Sequence, residues 1–278
     1  MKVKKITKNK IFATFIFLLG LGIFIYPIVS QYYYKSVATK QVEKFNKDSE
    51  KITSEEVAAR VKLAQAYNET LDPSRMADPY TEEEKQGVAE YARMLEVNEQ
   101  IGNIKIPKIN EELPIYAGTG ENVLQRGVGH LEGTSLPIGG ASTHSVLTAH
   151  RGLPSAKLFT NLDKLEKGDK FYVRNLQQTL AYEVDRILTV EPNDFEKVRV
   201  ENDKDYVTLL TCTPYMINSH RLLVRGHRVP YDELIDNSNT VKFSLDTIAV
   251  EYLIAIILLI CFAFVGLYVK RRRKNKKE

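Results

Sequence analysis

Two long apolar runs, one near each end of the chain, stand out from an otherwise mixed sequence. Residues 11–30 are almost purely apolar or small and carry no charge, and residues 252–269 form a second uncharged run. About 20 such residues form a helix long enough to cross the roughly 30 Å hydrocarbon core of a bilayer. The second run reaches that length if residues 248–251 lie in the membrane interface. The pattern therefore predicts two membrane-spanning helices, at 11–30 and 248–269.

Between these runs, the spacing of apolar positions first indicates helices. Residues 31–70 are rich in charge and place apolar side chains at helical spacing, which predicts a membrane-proximal helix or helical pair with a cap at Ser54. Two Asp-Pro pairs in residues 71–80 then stop the helix, because the residue before a proline avoids helical geometry. A further helix is predicted to begin after a cap at Thr81.

From residue 101 onward the pattern changes to short apolar runs separated by Gly, Pro, Asn and Asp clusters. Seven or eight short strands at this spacing are typical of a sandwich or a closed barrel. The fold class is therefore predicted to be mainly β. Residues 231–240 are polar and read as a linker back to the membrane.

The distribution of charge predicts how the chain is oriented. The first ten residues carry five lysines and no acid, and the last nine carry seven basic residues and one acid. Short basic flanks stay on the cytoplasmic side of a membrane helix, so both termini are predicted to be cytoplasmic and residues 31 to about 247 exported. Because residues 28–30 make only a weak cleavage site, we favour an uncleaved anchor over a signal peptide.

The exported part is acidic although the whole chain is basic. The chain has 39 basic and 35 acidic residues, and without the two tails 27 basic and 34 acidic residues remain, a formal charge of −7. The basic excess thus belongs to the membrane flanks, and no nucleic-acid partner is expected.

These patterns divide the chain into seven segments. They are a cytoplasmic tail (1–10), a transmembrane helix or signal-anchor (11–30), a helical membrane-proximal region (31–100) with a loop at 71–80, a β domain (101–232), a linker (233–247), a transmembrane helix (248–269) and a basic cytoplasmic tail (270–278).

The two cysteines of the chain are predicted to differ in role. Cys261 lies in the second membrane segment, where it packs as a small apolar residue. Cys212 ends the β-branched run of residues 206–211, and Thr213-Pro214 breaks that strand because proline cannot donate to a sheet ladder. An unpaired thiol in an exported domain risks oxidation, so a chemical role for Cys212 at a sheet rim competes with that of an inert buried cysteine.

A thiol nucleophile needs a base, and the chain offers five histidines. His150 ends a predicted strand and so repeats the strand-end position of Cys212, while His144 lies toward the other end of that strand. His220 and His227 flank an arginine-rich strand and suit a polar surface. His130 is placed in a loop, where it is either structural or groove-lining. Spacing alone leaves the catalytic role of His150 open.

An oxyanion formed by the thiol needs hydrogen-bond donors. Arg221 begins the strand that follows the Cys212 loop, where its guanidinium fork can donate to a carbonyl or an oxyanion. Strand alternation puts Arg225 on the same side, so the pattern does not decide which arginine is catalytic and which forms an ion pair. Both are also compatible with an ordinary sheet surface.

Three segments of the chain together resemble the sortase family. "TLLTC" at 208–212 fits the TLxTC signature, "THSVLTAHRG" at 143–152 and "RLLVRGHR" at 221–228 fit the histidine and arginine segments, and the order His, Cys, Arg agrees. The two terminal membrane segments, "GHLEGTSLPIGG" and "DPY" at 78–80 resemble the class C, pilus-assembling branch of Gram-positive bacteria. Ala149 departs from the glycine that commonly precedes the histidine, and Tyr80 replaces a tryptophan or phenylalanine.

The resemblance implies a closed sortase-type β-barrel of about eight strands with N-terminal helices and assigns roles to named residues. Cys212 would attack the Thr–Gly bond of an LPXTG-like sorting signal on a pilin, with His150 as general acid/base and Arg221 orienting the substrate and the oxyanion. A thioacyl enzyme would then be resolved by a lysine amine of the next pilin subunit. His130 and Thr211 become candidates for the substrate groove.

The resemblance also gives the loop at 71–80 the role of a lid. Its Asp78, Pro79 and Tyr80 would lie across the cleft, with Asp78 paired to Arg221 and the ring of Tyr80 over Cys212. From the residues alone, an inter-helix loop is the favoured interpretation of the same stretch.

Other functions remain compatible with the sequence. They are a housekeeping sortase that joins surface proteins to a peptidoglycan amine, a membrane-tethered thiol protease, and a structural or adhesive module with an incidental cysteine. The expected partners are pilin subunits and membrane lipid, and no cofactor or metal is expected.

Overall fold

The computed structural model describes residues 8–71 and 89–233. Residues 1–231 form one compact unit and residues 232–278 another, of which only 232 and 233 are described. The predicted lid beyond residue 71 and the predicted membrane helix at 248–269 lie outside the described residues.

Two helices precede the β domain. Helix α1 (Lys8–Ser49) runs without interruption from the first apolar run into the charged region, and α2 (Ser54–Glu69) follows after a short turn. Thr53 caps α2, since its hydroxyl accepts a hydrogen bond from the amide of Glu56 at 3.3 Å. The predicted cap, Ser54, is instead the first helical residue.

Helix α1 contains the apolar run of residues 11–30. Among residues 8–71 and 89–233 it provides the one helix long and apolar enough to cross a membrane, with a mean hydropathy of 1.8 in its most apolar stretch. An N-terminal helix of this chain could therefore anchor it in a bilayer.

The β domain is a closed, mixed barrel, which confirms the predicted barrel and rules out the sandwich. Its strands follow the order β1-β2-β3-β4-β7-β8-β6-β5 around the barrel. The pairs β2–β3 and β4–β7 are parallel, and the other pairs are antiparallel. The eight strands are β1 (Gln100–Ile106), β2 (Glu111–Ala117), β3 (Val128–His130), β4 (Thr143–Thr148), β5 (Lys170–Arg174), β6 (Thr179–Val190), β7 (Asp205–Thr213) and β8 (His220–Val229).

The barrel interior is filled by apolar side chains contributed by its strands. Ile104, Leu147, Leu209 and Val224 are fully buried there. Gly226 of β8 leaves no room for a side chain, because a Cβ atom would stand 2.6 Å from a ring carbon of Phe171. This close packing makes the barrel a rigid support for groups at its ends.

Helix α1 packs along the outside of the barrel through buried and polar contacts. Phe45 is fully buried. The hydroxyl of Tyr116 in β2 donates to Oε1 of Gln41 at 2.9 Å, and Nδ2 of Asn103 in β1 donates to Oδ1 of Asn46 at 2.9 Å. The barrel is therefore tied to the same helix that contains the apolar run.

One further prediction about local structure was wrong. His130 does not lie in a loop but ends β3, which has only three residues and so is too short to show strand alternation. The predicted helix start at Thr81 lies outside the described residues, and the structure next describes a 3-10 helix at Ala89–Leu95.

Candidate active site

Cys212 is the penultimate residue of β7 and pairs directly with Arg221 of β8. Residues directly opposite in an antiparallel pair point to the same face, with Cβ atoms about 4.5–5.5 Å apart. The thiol is free and partly exposed. The predicted position of Cys212 at a strand end is confirmed, and Arg221 lies directly opposite it in the strand register.

His150 reaches the same end of the barrel because β4 and β7 are parallel neighbours. Thr148 of β4 lies opposite Leu210 of β7, and the ladder continues one step further, where the amide of Ala149 donates to the carbonyl of Leu210 at 3.2 Å. Parallel strands end at the same edge of a sheet, so the residue after Ala149 lies beside the end of β7. This explains why two strand-end signals in the sequence meet in space.

Two hydrogen bonds join the residues that flank His150 to the residues that flank Cys212. The hydroxyl of Thr211 donates to the carbonyl of Ala149 at 2.7 Å, and Nη1 of Arg151 donates to the hydroxyl of Thr213 at 3.0 Å. We call this pair the flanking hydrogen bonds. They fix the backbone of the histidine segment against the backbone of the cysteine segment.

Arg151 is itself held in place. It forms an ion pair with Asp163 at 2.7 Å and donates from Nε to the carbonyl of Thr160 at 3.2 Å, and its side chain is only 7% exposed. Sequence reasoning missed Arg151, although its position next to the candidate base was a signal that could have singled it out.

Glu121 is a second residue that sequence reasoning missed. It is the first residue of the short helix α3 (Glu121–Leu124), and its Oε2 lies 3.3 Å from Nε2 of His150, although Nε2 makes no hydrogen bond of good geometry. The other carboxylate oxygen of Glu121 accepts from Nε2 of Gln125 at 2.8 Å. No local pattern connects Glu121 to His150, since only the fold brings α3 beside the end of β4.

Arg225 and Arg221, which the sequence could not tell apart, have different surroundings. The guanidinium of Arg225 donates to both carboxylate oxygens of Asp185 at 3.0 and 2.8 Å and to Glu201 at 3.0 Å. It also lies 3.9 Å over the ring of Tyr206. Arg225 is thus committed to a buried ion-pair network.

Arg221 is held by its own turn. Its Nη1 lies 3.4 Å from the carbonyl of Asn218 and 3.3 Å from the carbonyl of His220. The carbonyls of Asn218 in the β7–β8 loop and of His220 in β8 therefore hold the guanidinium of Arg221 at the start of β8.

His144 lies at the opposite end of β4 from His150, as predicted. It is buried, with Nε2 2.7 Å from the hydroxyl of Thr208 and Nδ1 2.9 Å from the carbonyl of Arg199. Burial lowers the pKa of His144 to about 4, so this histidine is neutral at physiological pH.

The two residues proposed for the substrate groove are both buried, which contradicts a groove-lining role. His130 is fully buried against the carbonyl of Ser135, 2.8 Å from Nε2, and burial lowers its pKa to about 4. Thr211 is 1% exposed, and its hydroxyl donates to the carbonyl of Ala149. The reason is that β3 and β7 turn these side chains away from solvent.

The remaining histidines lie on β8. His220 is partly exposed, with Nε2 3.2 Å from Glu191 and Nδ1 2.8 Å from the hydroxyl of Ser219. Nδ1 of His227 is buried without a hydrogen bond. The strand register places His227 opposite Tyr206, seven residues along β8 from His220.

The predicted lid residues Asp78, Pro79 and Tyr80 lie outside the described residues. Within residues 8–71 and 89–233, no group of three or more His, Cys, Asp and Glu side chains is arranged to hold a metal ion.

Comparison with known proteins agrees with this geometry. The sortase domain family matches residues 104–229. The chain is 30% identical to sortase A of Bacillus anthracis over 184 residues, which are 65% of this chain and 82% of that protein. It is 31% identical to sortase D of Bacillus subtilis (strain 168) over 137 residues, 48% of this chain and 66% of that protein.

Solved structures give a higher identity. The crystal structure of sortase C-1 from Streptococcus pneumoniae is 56% identical, with a TM-score of 0.67, and covers 69% of this chain and 100% of that chain. The pilus-related sortase C of Group B Streptococcus is 55% identical, with a TM-score of 0.65, and covers 68% of this chain and 97% of that chain. From its barrel, its strand-end residues and these similarities together, the chain belongs to the sortase family.

Proposed function

We propose that this chain is a pilus-assembling cysteine transpeptidase. It cleaves an LPXTG-like sorting signal between Thr and Gly and transfers the new carboxyl group of the pilin to a lysine amine of another pilin subunit. The similarity to the pilus-related sortase C of Group B Streptococcus, at 55% identity, supports the choice of pilin as substrate.

One observation carries the proposal: Cys212 and Arg221 are direct cross-strand partners, and the neighbouring parallel strand brings His150 to the same edge. A nucleophile, a donor for negative charge and a proton-transfer group are thus presented together by three adjacent strands of a rigid barrel. This is the set of groups that acyl transfer through a thioester requires.

In the first half of the reaction, the thiol proton of Cys212 passes to His150, and the sulfur bonds to the threonine carbonyl carbon of the sorting signal. The negative charge that develops on the carbonyl oxygen is stabilised by the guanidinium of Arg221. His150 gives a proton to the glycine nitrogen, the C–N bond breaks, and the glycine-bearing peptide leaves. A thioester between Cys212 and the threonine remains.

In the second half, a neutral lysine amine of another pilin attacks the thioester carbonyl carbon. Its surplus proton passes to His150, the C–S bond breaks, and the proton returns from His150 to the departing sulfur of Cys212. Water in place of the amine gives hydrolysis, so exclusion of water from the thioester decides between transferase and protease.

The flanking hydrogen bonds and Glu121 position the nucleophile and the base. Thr211 and Arg151 hold the backbone on both sides of the nucleophile and the base, and the carboxylate of Glu121 faces Nε2 of His150. A positively charged His150, which forms transiently in each half-reaction, gains an ionic partner from Glu121.

We further propose that α1 anchors the protein in the cell membrane with its N-terminus in the cytoplasm and the barrel on the outer face. The basic tails at both ends of the sequence support this orientation. On the sequence pattern, residues 248–269 provide a second membrane helix, and the resemblance to class C sortases gives Asp78, Pro79 and Tyr80 the role of a lid over the cleft. The domain boundaries given above follow from the same reasoning.

The experiment that tests the function incubates the full chain, in detergent or vesicles, with a pilin that bears an LPXTG-like signal. Covalent pilin ladders that disappear with Cys212→Ala are expected. Release of cleaved pilin without ladders, unaffected by added amine, would indicate a thiol protease. Transfer only to peptidoglycan-type amines would indicate the housekeeping reaction.

A further inference from the structure

The loop between β7 and β8 exposes three consecutive apolar side chains. Tyr215, Met216 and Ile217 are 50%, 70% and 71% exposed. We call residues 215–217 the apolar tip. The turn that carries it is well defined, since the amides of Ile217 and Asn218 both donate to the carbonyl of Pro214, at 3.1 and 3.0 Å. Three adjacent exposed apolar side chains form a candidate interaction surface.

The contacts along α1 show which end of the barrel lies nearest the apolar run 11–30. The hydroxyl of Ser30 lies 3.4 Å from the carbonyl of Pro154, whereas Asn46 contacts Asn103 in β1. With a rise of 1.5 Å per residue, these two contacts are about 24 Å apart along the helix. The loop that contains Pro154 therefore lies where α1 leaves its predicted membrane segment.

The apolar tip lies beside that loop. A Cβ atom on Gly152 would stand 3.2 Å from a ring carbon of Tyr215 and 3.5 Å from the sulfur of Met216. Gly152 precedes Pro154 by two residues, which span at most about 7 Å. The apolar tip and the end of the membrane segment are thus neighbours on the same side of the barrel.

The composition of the loop favours a lipid surface. Residues 213–219, "TPYMINS", contain no charged side chain, so their burial in the interface costs no desolvation of charge. Tyrosine is a residue type enriched at the membrane–water interface. The guanidinium of Arg151, 6.0 Å from the ring centre of Tyr215 and bonded to Thr213, ties the loop to the histidine segment.

We propose that the apolar tip enters the headgroup region of the bilayer beside α1 and holds the Cys212 end of the barrel at the membrane surface. The proposal rests on the anchoring of α1 in the membrane. Because Cys212 is only three residues from Tyr215, the thiol would then face substrates that are themselves presented at the membrane surface. The partner that the apolar tip contacts is thus the lipid bilayer.

The sequence allows a direct test, because the chain contains no tryptophan. A single tryptophan is introduced as Ile217→Trp, and separately as Met216→Trp in case one variant fails to fold, into the full chain reconstituted in vesicles. Lipids that carry a nitroxide on the acyl chain near the headgroup then quench tryptophan that reaches their depth. The proposal expects a blue-shifted emission that is quenched by these lipids.

Two control variants make the outcomes distinguishable. Tyr26→Trp places the probe inside the apolar run of α1 and should be quenched, and Lys51→Trp places it beyond the other end of α1, about 28 Å from Ser30, and should not. Quenching at Tyr26→Trp without quenching at either tip position overturns the proposal alone. Absence of quenching at Tyr26→Trp overturns the membrane anchoring as well.

Other occupants give different results. A blue shift that appears only when pilin is added, or that follows protein concentration at constant lipid, would assign the apolar tip to a pilin or to a second copy of the chain and would overturn the lipid proposal.

A functional arm completes the test. The double variant Met216→Ser with Ile217→Ser should lose turnover of a sorting signal fused to a membrane helix, but keep turnover of the same signal as a soluble peptide. An equal loss with both substrates would place the apolar tip in the peptide site and contradict the proposal.

Discussion

Thr211, the residue before the nucleophile, donates its hydroxyl to the carbonyl of Ala149, the residue before the base, at 2.7 Å. Both groups are buried. The hydrogen bond therefore fixes the backbone next to His150 relative to β7. It also explains why a threonine stands at a site that the barrel could otherwise fill with a branched apolar residue.

We predict that Thr211→Val, which keeps the shape of the side chain, slows transfer on the order of 10–100-fold by misplacing His150 relative to Cys212. It also destabilises the barrel by about 1–3 kcal/mol, since the Ala149 carbonyl loses its partner. Single-turnover acylation and urea unfolding measure the two effects.

Thr208→Val provides the matched control on the same strand. Thr208 is equally buried and its hydroxyl lies 2.7 Å from Nε2 of His144, at the other end of β4. A similar loss of stability with unchanged acylation is expected. If Thr208→Val slows acylation as much as Thr211→Val, the effect is general destabilisation and the positioning role is wrong.

Arg151→Met is expected to reduce acylation by at least about tenfold, because it removes the hydrogen bond to Thr213 beside the nucleophile. Arg225→Met serves as its comparison. Arg225 is buried and pairs with Asp185 and Glu201, and neither carboxylate is next to His150 or Cys212 in the sequence. Removing the guanidinium costs about 1–3 kcal/mol of unfolding free energy, because both carboxylates of the network are partly exposed. At a temperature where both variants stay folded, Arg151→Met should acylate more slowly than Arg225→Met. Equal acylation rates would contradict the positioning role of Arg151.

Glu121→Gln should have a small effect. The carboxylate faces Nε2 of His150 at 3.3 Å but is 56% exposed, and an exposed ion pair is worth about 0–1 kcal/mol. We expect a loss of transfer rate below about fivefold, with the KM for the sorting peptide unchanged. A loss of several orders of magnitude would show that Glu121 takes part in the proton transfer itself.

Acidification should destabilise the barrel through its two buried histidines. Burial lowers the pKa of His130 and of His144 to about 4, below the ordinary 6.5. The unfolded chain therefore binds more protons, and stability present above pH 6.5 is lost as the pH falls toward about 4. Each histidine contributes about 3 kcal/mol over this interval at most.

Glu111 contributes in the opposite sense. Burial raises its pKa to about 7 from 4.5, against the lowering effect of Lys35 and Lys157. Its stabilising contribution is present below pH 4.5 and lost as the pH rises through 7. Urea unfolding between pH 4 and 7 in the Glu111→Gln background should isolate the histidine effect, and His144→Gln should reduce the slope with pH by about one proton. An unchanged slope in His144→Gln would contradict the burial argument.

The strands and the meeting of His150 with Cys212 could be predicted because both depend on local signals. Apolar runs and breaking residues locate β4 and β7, and two reactive residues at strand ends meet once those strands are parallel neighbours. The sequence did not reveal that β3 is a strand, because three residues are too few to show a pattern. The wrong expectation that His130 could line the substrate groove follows from that error.

The approach of Glu121 to His150 and the different roles of the two arginines could not be predicted from the sequence, because both depend on tertiary structure. Glu121 approaches His150 from a separate helix, 29 residues away in sequence, and no spacing rule connects them. Arg221 and Arg225 share one face of β8 by alternation, and only the position of Asp185 and Glu201 shows which of them forms the ion-pair network.

The intact mass of the enzyme shows whether Cys212 carries the acyl group between two substrates. The full chain is mixed with a sorting-signal peptide without an amine, quenched in acid and digested to locate the modification. We expect a mass increase equal to the peptide up to its threonine less one water, on Cys212 alone, that disappears when a lysine amine is added and the joined product forms. Turnover without any adduct on Cys212, or an adduct that persists in Cys212→Ala, would contradict this role of Cys212.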